Sequence, residues 1–187
     1  MRPLAVNDFD AWSEVRRRNA EWLTVWEPSR LAHQPDPTND KSAFASRCLQ
    51  RDRDRTAGTA YQFGMFVDRR VAGEVNLNNV IRGAMQSCTV GYWIDRDHAG
   101  RGYTVEGVSL VMQFAFEQLG LHRVEVCIVP RNHRSRRVMD KLGIRSEGTA
   151  QRYLEINGTW EDHVRYGITS EEWEARRAEI VAAWITA

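Results

Sequence analysis

The segment that most restricts the fold is residues 105–120, which read VEGVSLVMQFAFEQLG. Its apolar residues fall on nearly all sides of a helix, a pattern typical of a buried helix, and Gly120 supplies a glycine C-cap. Segments with strand-like character precede it at 87–95 and follow it at 121–129. A strand, a buried helix and a second strand predict a crossover connection within one sheet.

Hairpins flank this crossover on both sides. Residues 61–68 and 71–80 have strand patterns and are joined by a turn at Asp68–Arg70. Residues 152–168 predict a second hairpin around Asn157-Gly158, a strong turn signal. The expected fold is therefore α+β, with a mixed, mostly antiparallel central sheet and helices on both faces.

Further helices are predicted outside the crossover, at 8–26, 40–55, 132–143 and 169–184. Asp8 can cap the first of them, and one of its faces carries Trp12, Val15, Asn19, Trp22 and Leu23. Asn132 is a predicted N-cap, and Thr169 with Glu172 predicts a capping box. Residues 1–4 resemble a first strand that is either cut at its start or simply short.

Length and composition predict a single domain over residues 1–187. A chain with 42% hydrophobic and 27% charged residues is typical of a folded protein and not of a disordered one. The net charge of +1 argues against a nucleic-acid partner. No signal peptide or apolar run of membrane-spanning length is seen, so no membrane association is expected.

The cysteines and histidines suggest no metal. Cys48, Cys88 and Cys127 are far apart in the sequence, which fits neither a disulfide framework nor a zinc site. Reduced thiols indicate a cytoplasmic protein. The histidines lack the spacing of a paired metal-binding motif.

Residues 97–107, DHAGRGYTVEG, lie between a predicted strand and the buried helix. The backbone amides of Gly100–Thr104 would lie at the positive end of that helix, where an anion such as a phosphate can bind. Gly100 and Gly102 leave room for a ligand, and Arg101 can add a charge-assisted hydrogen bond. A plain turn is the alternative. The loop matches neither the nucleoside-triphosphate nor the dinucleotide glycine motif.

Two other segments carry reactive groups. Ser135 follows Asn132 at the start of a helix, where its hydroxyl either faces a cleft or only completes the helix end. The hairpin segment from Glu155 to His163 is dense in titratable side chains. Alternation along its second arm predicts Trp160, Asp162, Val164 and Tyr166 on an inward face, with Glu161 and His163 on the other.

Taken in order, several stretches resemble the GNAT acetyltransferases, and more closely the ribosomal-protein-alanine N-acetyltransferases of the RimJ/RimL type. The resemblance covers nearly the whole chain and rests on the joint order of its motifs. The matching stretches are RRRNAEWLTVWEPS, VAGEVNLNNV, VGYWIDRDHAGRGYTVEG, LHRVEVCIVPRNHRSRRVMDKLGIRSEG, YLEINGTWEDHV and ITSEEW.

The resemblance implies acetyl-CoA as cosubstrate and no metal. The family's pyrophosphate motif maps onto residues 99–104, where Ala99 replaces a long polar side chain and Thr104 a small residue. A backbone cradle should survive both changes, with weaker binding of CoA. The residues that the family would use for the cofactor are Tyr92, Trp93, Ile94, Gly100, Arg101, Gly102, Tyr103, Thr104 and Asn132.

For catalysis, Ser135 matches the family's proposed proton donor to the leaving thiolate. The family's catalytic carboxylate maps near Leu154, so that Glu155 is the candidate base, with Glu74 and Asp162 as alternatives. The acceptor amine would meet Trp22, Trp26 and Glu27, although the tryptophans could equally belong to the core.

The predicted reaction moves the acetyl group of acetyl-CoA to a primary amine, most simply the N-terminal α-amino group of a protein such as a ribosomal protein with N-terminal alanine. An α-amino group has a pKa of about 7.7–8.0, against about 10.4 for lysine, so it needs little help to become a nucleophile. An acetyltransferase for a small-molecule amine and a non-catalytic CoA-binding module are the alternatives. Monomer and homodimer both remain open.

Overall fold

The computed structural model describes residues 1–31 and 33–185. Its six-stranded sheet has the order β1-β2-β3-β4-β6-β5. The strands are β1 Tyr61–Val67, β2 Arg70–Ile81, β3 Ser87–Ile94, β4 Arg123–Ile128, β5 Arg145–Ile156 and β6 Thr159–Thr169. Only β3 and β4 pair in parallel, whereas the other neighbours are antiparallel. The mixed, mostly antiparallel sheet expected from the sequence is confirmed.

The helices are α1 Phe9–Arg18, α2 Ala20–Leu23, α3 Lys41–Ala57, α4 Tyr103–Gln113, α5 His133–Leu142 and α6 Ser170–Trp184. Two of the predicted N-terminal caps form, those of α5 and α6. Asn132 accepts a hydrogen bond from the Ser135 amide, and Thr169 and Glu172 bond reciprocally in a capping box. No helix in the described part of the chain is long and apolar enough to cross a membrane.

The crossover helix α4 is buried as its composition predicts. Val105, Val108 and Val111 are at most 3% exposed and pack with the central strands in the main core. The helix begins at Tyr103 and passes into a π-helical turn at Phe114–Gln118. Burying apolar side chains on all sides ties this helix to the sheet and holds its N-terminus beside the end of β3.

The parallel pair β3–β4 is short, and this creates the gap in which the site lies. The two strands pair only over Ser87–Thr89 and Arg123–Glu125. Beyond Thr89, β3 continues to Ile94 while still paired with β2 on its other side. The edge of β3 that faces β4 is therefore free to contact a ligand over Val90–Ile94.

The single helix predicted over 8–26 is wrong, because the helix breaks at Asn19. This residue has φ −101° and ψ 14°, outside the helical range, and α2 starts only after it. The buried Asn19 amide donates to the Asp95 carboxylate at 2.8 Å and accepts from the Arg96 amide at 3.0 Å. These bonds to the end of β3 compete with the helical hydrogen bonds and redirect the chain.

The second hairpin is longer than predicted, since β5 already begins at Arg145. The expectation that Asp162 faces inward is also wrong. The tip of the hairpin extends past the core, so that Trp160 is 61% exposed and Asp162 is exposed, whereas Tyr166 on the same face is buried. Asp162 does make a hydrogen bond, accepting from the Arg152 amide at 2.8 Å across a bulge in β5.

The expected first strand is reduced to one isolated bridge between Arg2 and Gly64. Asp8 accepts hydrogen bonds from Arg2 and from the Ala5 amide. It therefore stabilises the turn before α1 and makes no side-chain cap on that helix.

Candidate functional site

Two small cavities meet where β3 separates from β4. One, of about 130 Å³, lies between α2, β3 and α5, and the other, of about 170 Å³, lies between β3 and β4. Tyr92, Asn132, Ser135 and Trp26 line both of them. The structure therefore brings together the predicted residues of β3, the N-terminus of α5 and the predicted acceptor-site residues Trp22, Trp26 and Glu27. We call this pair of cavities the slot.

Ser135 and Tyr92 are joined by a hydrogen bond at the centre of the slot. The Tyr92 hydroxyl lies 2.8 Å from the Ser135 Oγ and 3.2 Å from the Ser135 carbonyl oxygen. Burial raises the pKa of Tyr92, which keeps the phenol protonated and able to donate. The pair can pass a proton from the phenol through the serine hydroxyl to a group bound in the slot.

The sequence predicts Tyr92 as a cofactor-binding residue but gives no role to its phenol. The contact joins residues 43 positions apart, on a strand and a helix that meet only in the folded chain. The sequence did contain one signal for this contact. Strand side chains project from the faces of a sheet, so a tyrosine in β3 can place its phenol beside a helix that packs on that face.

His163 is a second functional group that sequence reasoning did not assign to the slot. It is 2% exposed and lines the cavity that also contains Ser135 and Tyr92. Its Nδ1 lies 3.0 Å from the Glu161 carbonyl oxygen, which can only accept a hydrogen bond. The neutral ring therefore carries its proton on Nδ1 and leaves Nε2 as a proton acceptor.

The tryptophans after α1 close one side of the slot. Trp22 Nε1 donates to the Ile94 carbonyl oxygen at 3.1 Å, and the Arg134 guanidinium lies 4.6 Å from the Trp22 ring centroid. Arg131 lies 4.7 Å from the Trp26 ring centroid. Trp22 is thus held against β3 by a hydrogen bond and against α5 by a cation–π contact, whereas Trp26 has a cation–π contact with the loop before α5.

Glu27 lines the slot, but Arg16 already balances the negative charge of its carboxylate. Its carboxylate receives two hydrogen bonds from Arg16, at 2.6 and 2.7 Å. The Glu27 carbonyl oxygen also accepts from the Asn157 amide at 2.9 Å, which docks the hairpin tip against this segment. Glu27 therefore positions the hairpin beside the slot, and its contact with an acceptor amine stays a prediction.

The glycine loop forms a cradle beside the slot. Gly100 has φ +79° and Gly102 has φ +95°, values that side-chain-bearing residues rarely adopt. Gly102 is the N-cap of α4, and within the described part of the chain no side chain caps the amides of this helix. A cavity of about 90 Å³ lies here, lined also by Thr104. Free amides at a helix N-terminus and the open space beside Gly100 suit a phosphate group.

The positive charge of the cradle comes from α5. Arg134, Arg137 and Lys141 line the same cavity as the two glycines. Their spacing of three and four residues puts them on one face of the helix. Arg101, which was expected to supply this charge, is exposed and lies outside that lining. The α5 cations can compensate for the long side chain that Ala99 lacks.

The predicted carboxylates do not join Ser135. Glu155 is exposed near the hairpin tip, opposite Trp160, and lines neither cavity of the slot. Glu74 is completely buried and accepts hydrogen bonds from Trp12 and Arg47. Burial alone would raise the pKa of Glu74, but Arg47 and Arg51 lower it to about 2. So acidic a carboxylate is a poor proton acceptor.

Among residues 1–31 and 33–185, no group of three or more His, Cys, Asp or Glu side chains is arranged to hold a metal ion.

Comparisons with known proteins agree with this geometry. The family model "Acetyltransferase (GNAT) domain" matches residues 1–145. The "Probable N-acetyltransferase YjcK" of Bacillus subtilis (strain 168) is 47% identical over 165 residues, which cover 87% of this chain and 89% of that protein. The "[Ribosomal protein uS5]-alanine N-acetyltransferase" of Escherichia coli (strain K12) is 31% identical, covering 92% and 89%.

Among solved structures, Mycobacterium smegmatis RimJ in complex with CoA-disulfide superposes with a TM-score of 0.89 at 30% identity. The alignment covers 97% of this chain and 87% of that one. This structural neighbour contains bound CoA-disulfide. A CoA ligand in a protein of the same fold is consistent with the cradle and the slot in this chain. The chain belongs to the GNAT family of N-acetyltransferases and is an acyltransferase related to the ribosomal-protein-alanine N-acetyltransferases.

Proposed function

We propose that this enzyme transfers the acetyl group of acetyl-CoA to the N-terminal α-amino group of a protein, with a ribosomal protein as the expected class of acceptor. The observation that carries the proposal is the Tyr92–Ser135 hydrogen bond inside a slot that adjoins an anion cradle. The similarity to the ribosomal protein uS5-alanine N-acetyltransferase supports the choice of acceptor.

Each part of the site has one task in this reaction. Acetyl-CoA, when bound, supplies the thioester that is attacked. The α4 amides with Arg134 and Arg137 would hold its phosphates, and Asn132 would contact the arm that leads into the slot. The free backbone edge of β3 at Tyr92–Ile94 lies where an amide can stabilise developing negative charge.

Proton transfer is assigned to three side chains that line one cavity. Ser135 donates a proton to the leaving thiolate while Tyr92 stays hydrogen-bonded to the serine oxygen, and the proton that the amine loses returns to Ser135 before the next turnover. His163, whose Nε2 is an acceptor, can take the proton that the amine loses. An α-amino group has a pKa near 8, so weak assistance at this step suffices. Glu155 stays a prediction for the same role.

Replacing Ser135 with alanine is expected to lower kcat by about 100-fold, within the range that general acid catalysis contributes, while CoA affinity changes little. The Asn132–Ser135 cap uses only the serine amide, so the helix start is preserved. Steady-state kinetics with an Ala-starting peptide and calorimetric titration with CoA measure both quantities. The control is Ser46→Ala, an exposed serine on α3. An unchanged kcat in Ser135→Ala would assign the serine a purely structural role.

The acceptor class is tested by mass spectrometry of protein N-termini from lysate, with and without purified enzyme and acetyl-CoA. New acetylation of α-amino groups is the expected result. A parallel assay follows CoA release with Ala-starting peptides, polyamines and aminoglycosides. Release only with the small amines would favour a small-molecule acetyltransferase. CoA binding without acetylation of any acceptor would indicate a non-catalytic module.

A further inference from the structure

A larger cavity, of about 740 Å³, adjoins the slot and shares Trp93 and Glu27 with it. Its other walls come from α1, residues 28–30 and 36–39, α3, β2 and the hairpin tip at Asn157. A cavity of this volume is within the range of ligand sites. Neither the Tyr92–Ser135 pair nor the glycines of the cradle line this cavity.

The walls of this cavity carry more positive than negative charge. Four arginines line it, against two carboxylates: Arg16, Arg17, Arg30 and Arg47 face Glu27 and Asp36. Arg16 pairs with Glu27 at 2.6 Å, and Arg30 pairs with Asp36 at 3.9 Å. Arg17 is exposed on α1, and its guanidinium forms no ion pair with any residue that the structure describes. Arg17 is therefore available to a ligand, whereas Arg47 pairs with the buried Glu74.

Arg47 carries charge that its protein partner does not fully balance. It shares the buried Glu74 carboxylate with Arg51, so two guanidiniums meet one negative charge. Its Nη2 lies 3.0 Å from both Glu74 oxygens, while its Nη1 is buried without a hydrogen-bond partner among the described residues. A buried excess positive charge is costly and favours an anionic ligand.

Asn76, which lines the same cavity, lacks a hydrogen-bond donor among the described residues, whereas Arg47 Nη1 lacks an acceptor. Its Oδ1 is buried and lacks a hydrogen-bond donor in the described part of the chain. In the sheet, Asn76 is the register partner of Gly91, which lines the slot beside Ser135. A donor such as an amino group placed at this point would complete the hydrogen bonding of Asn76.

We propose that the cavity binds the N-terminal segment of an acceptor chain that has a carboxylate side chain at its second or third residue. Asn76 accepts a hydrogen bond from the reactive amino group, and Arg17 and Arg47 hold the carboxylate. The inference rests on the acetyl transfer proposed above and adds the charge of the acceptor. A neutral side chain leaves Arg47 Nη1 unpaired, and a basic one is repelled.

Three peptides that differ only at the second residue test this specificity. They begin Ala-Glu, Ala-Gln and Ala-Lys, and kcat/KM is measured for each with saturating acetyl-CoA. We expect Ala-Glu to exceed Ala-Gln by about tenfold, the scale of one charge-assisted hydrogen bond, with Ala-Lys lowest. The same series with the change at the third residue locates the carboxylate.

Variants assign the preference to the cavity. Arg17→Glu is expected to reduce or reverse the difference in kcat/KM between the peptides, so that the value for Ala-Lys rises relative to that for Ala-Glu. Arg53→Glu makes the same change on an exposed arginine of α3 outside the cavity and should keep the wild-type order. Asn76→Leu should raise KM for all three peptides by a similar factor, because it removes the contact to the amino group that they share.

Two results would overturn the inference. Equal kcat/KM for the glutamate, glutamine and lysine peptides in both series would reject recognition of a carboxylate, while leaving acetyl transfer intact. The wild-type order persisting in Arg17→Glu would remove Arg17 from the site. Absence of acetylation with every peptide, despite bound CoA, would instead contradict the proposed function on which the inference rests.

Discussion

Replacing Gly102 with valine should abolish CoA binding. Gly102 has φ +95° and is the N-cap of α4, so a β-branched side chain would strain the backbone where the cradle amides must point at a phosphate. Relaxation toward negative φ would turn those amides away from the phosphate site. Calorimetric titration with CoA should show no heat of binding up to millimolar concentrations.

Gly83→Val is the matched control for this substitution. Gly83 has φ +70° and open space around its Cα, so valine imposes a similar strain in the loop between β2 and β3. That variant should keep CoA affinity within about twofold, while both variants lose some stability to backbone strain. Unchanged affinity in Gly102→Val would show that the loop is a turn with no role in phosphate binding.

Replacing Glu74 with glutamine should lower the free energy of unfolding by about 3–5 kcal/mol. The carboxylate is completely buried and is the shared partner of Arg47 and Arg51 and an acceptor for Trp12 Nε1. Its loss leaves two buried guanidiniums without a counter-charge. A guanidinium stays protonated at physiological pH even though burial lowers the pKa of Arg47.

The pH dependence of stability gives a second readout of Glu74. Its pKa in the folded protein is about 2, below the ordinary value of 4.5. The stabilisation is therefore complete above pH 4.5 and is lost as pH falls from there toward 2. At 1.36 kcal/mol for each pKa unit, the loss is about 3 kcal/mol. In Glu74→Gln, this part of the acid sensitivity should disappear.

Glu147→Gln serves as the control for the stability measurement. Glu147 pairs with Arg123 and Arg145 on the protein surface, where ion pairs contribute at most about 1 kcal/mol. Urea unfolding at several pH values compares the two variants with the wild type. If Glu74→Gln unfolded at the wild-type urea concentration, the cluster would contribute nothing to stability.

Much of the fold could be predicted from local signals. The two strands on either side of 105–120, the Asn157-Gly158 turn and the Thr169/Glu172 capping box each depend on residues close in sequence, and all three appear in the structure. The helix break at Asn19 could not be predicted in this way. It depends on hydrogen bonds to Asp95 and Arg96, more than 70 residues away.

In the candidate site, too, some residues are positioned by local sequence and others by tertiary packing. Asn132 and Ser135 are three residues apart on one helix end, and Gly100 and Gly102 set their own backbone geometry, so their positions follow from the sequence. The Tyr92 contact with Ser135 and the placement of His163 depend on how β3, β6 and α5 pack together.

The crossover, the glycine loop and the helix cap at Asn132 follow from local sequence, because periodicity, backbone conformation and capping act over a few residues. Which charges meet depends instead on tertiary packing. It buried Glu74 between two arginines, left Glu155 exposed at the hairpin tip and gathered Arg17 and Arg47 around one cavity. Charges from distant segments become partners only when packing removes the water between them.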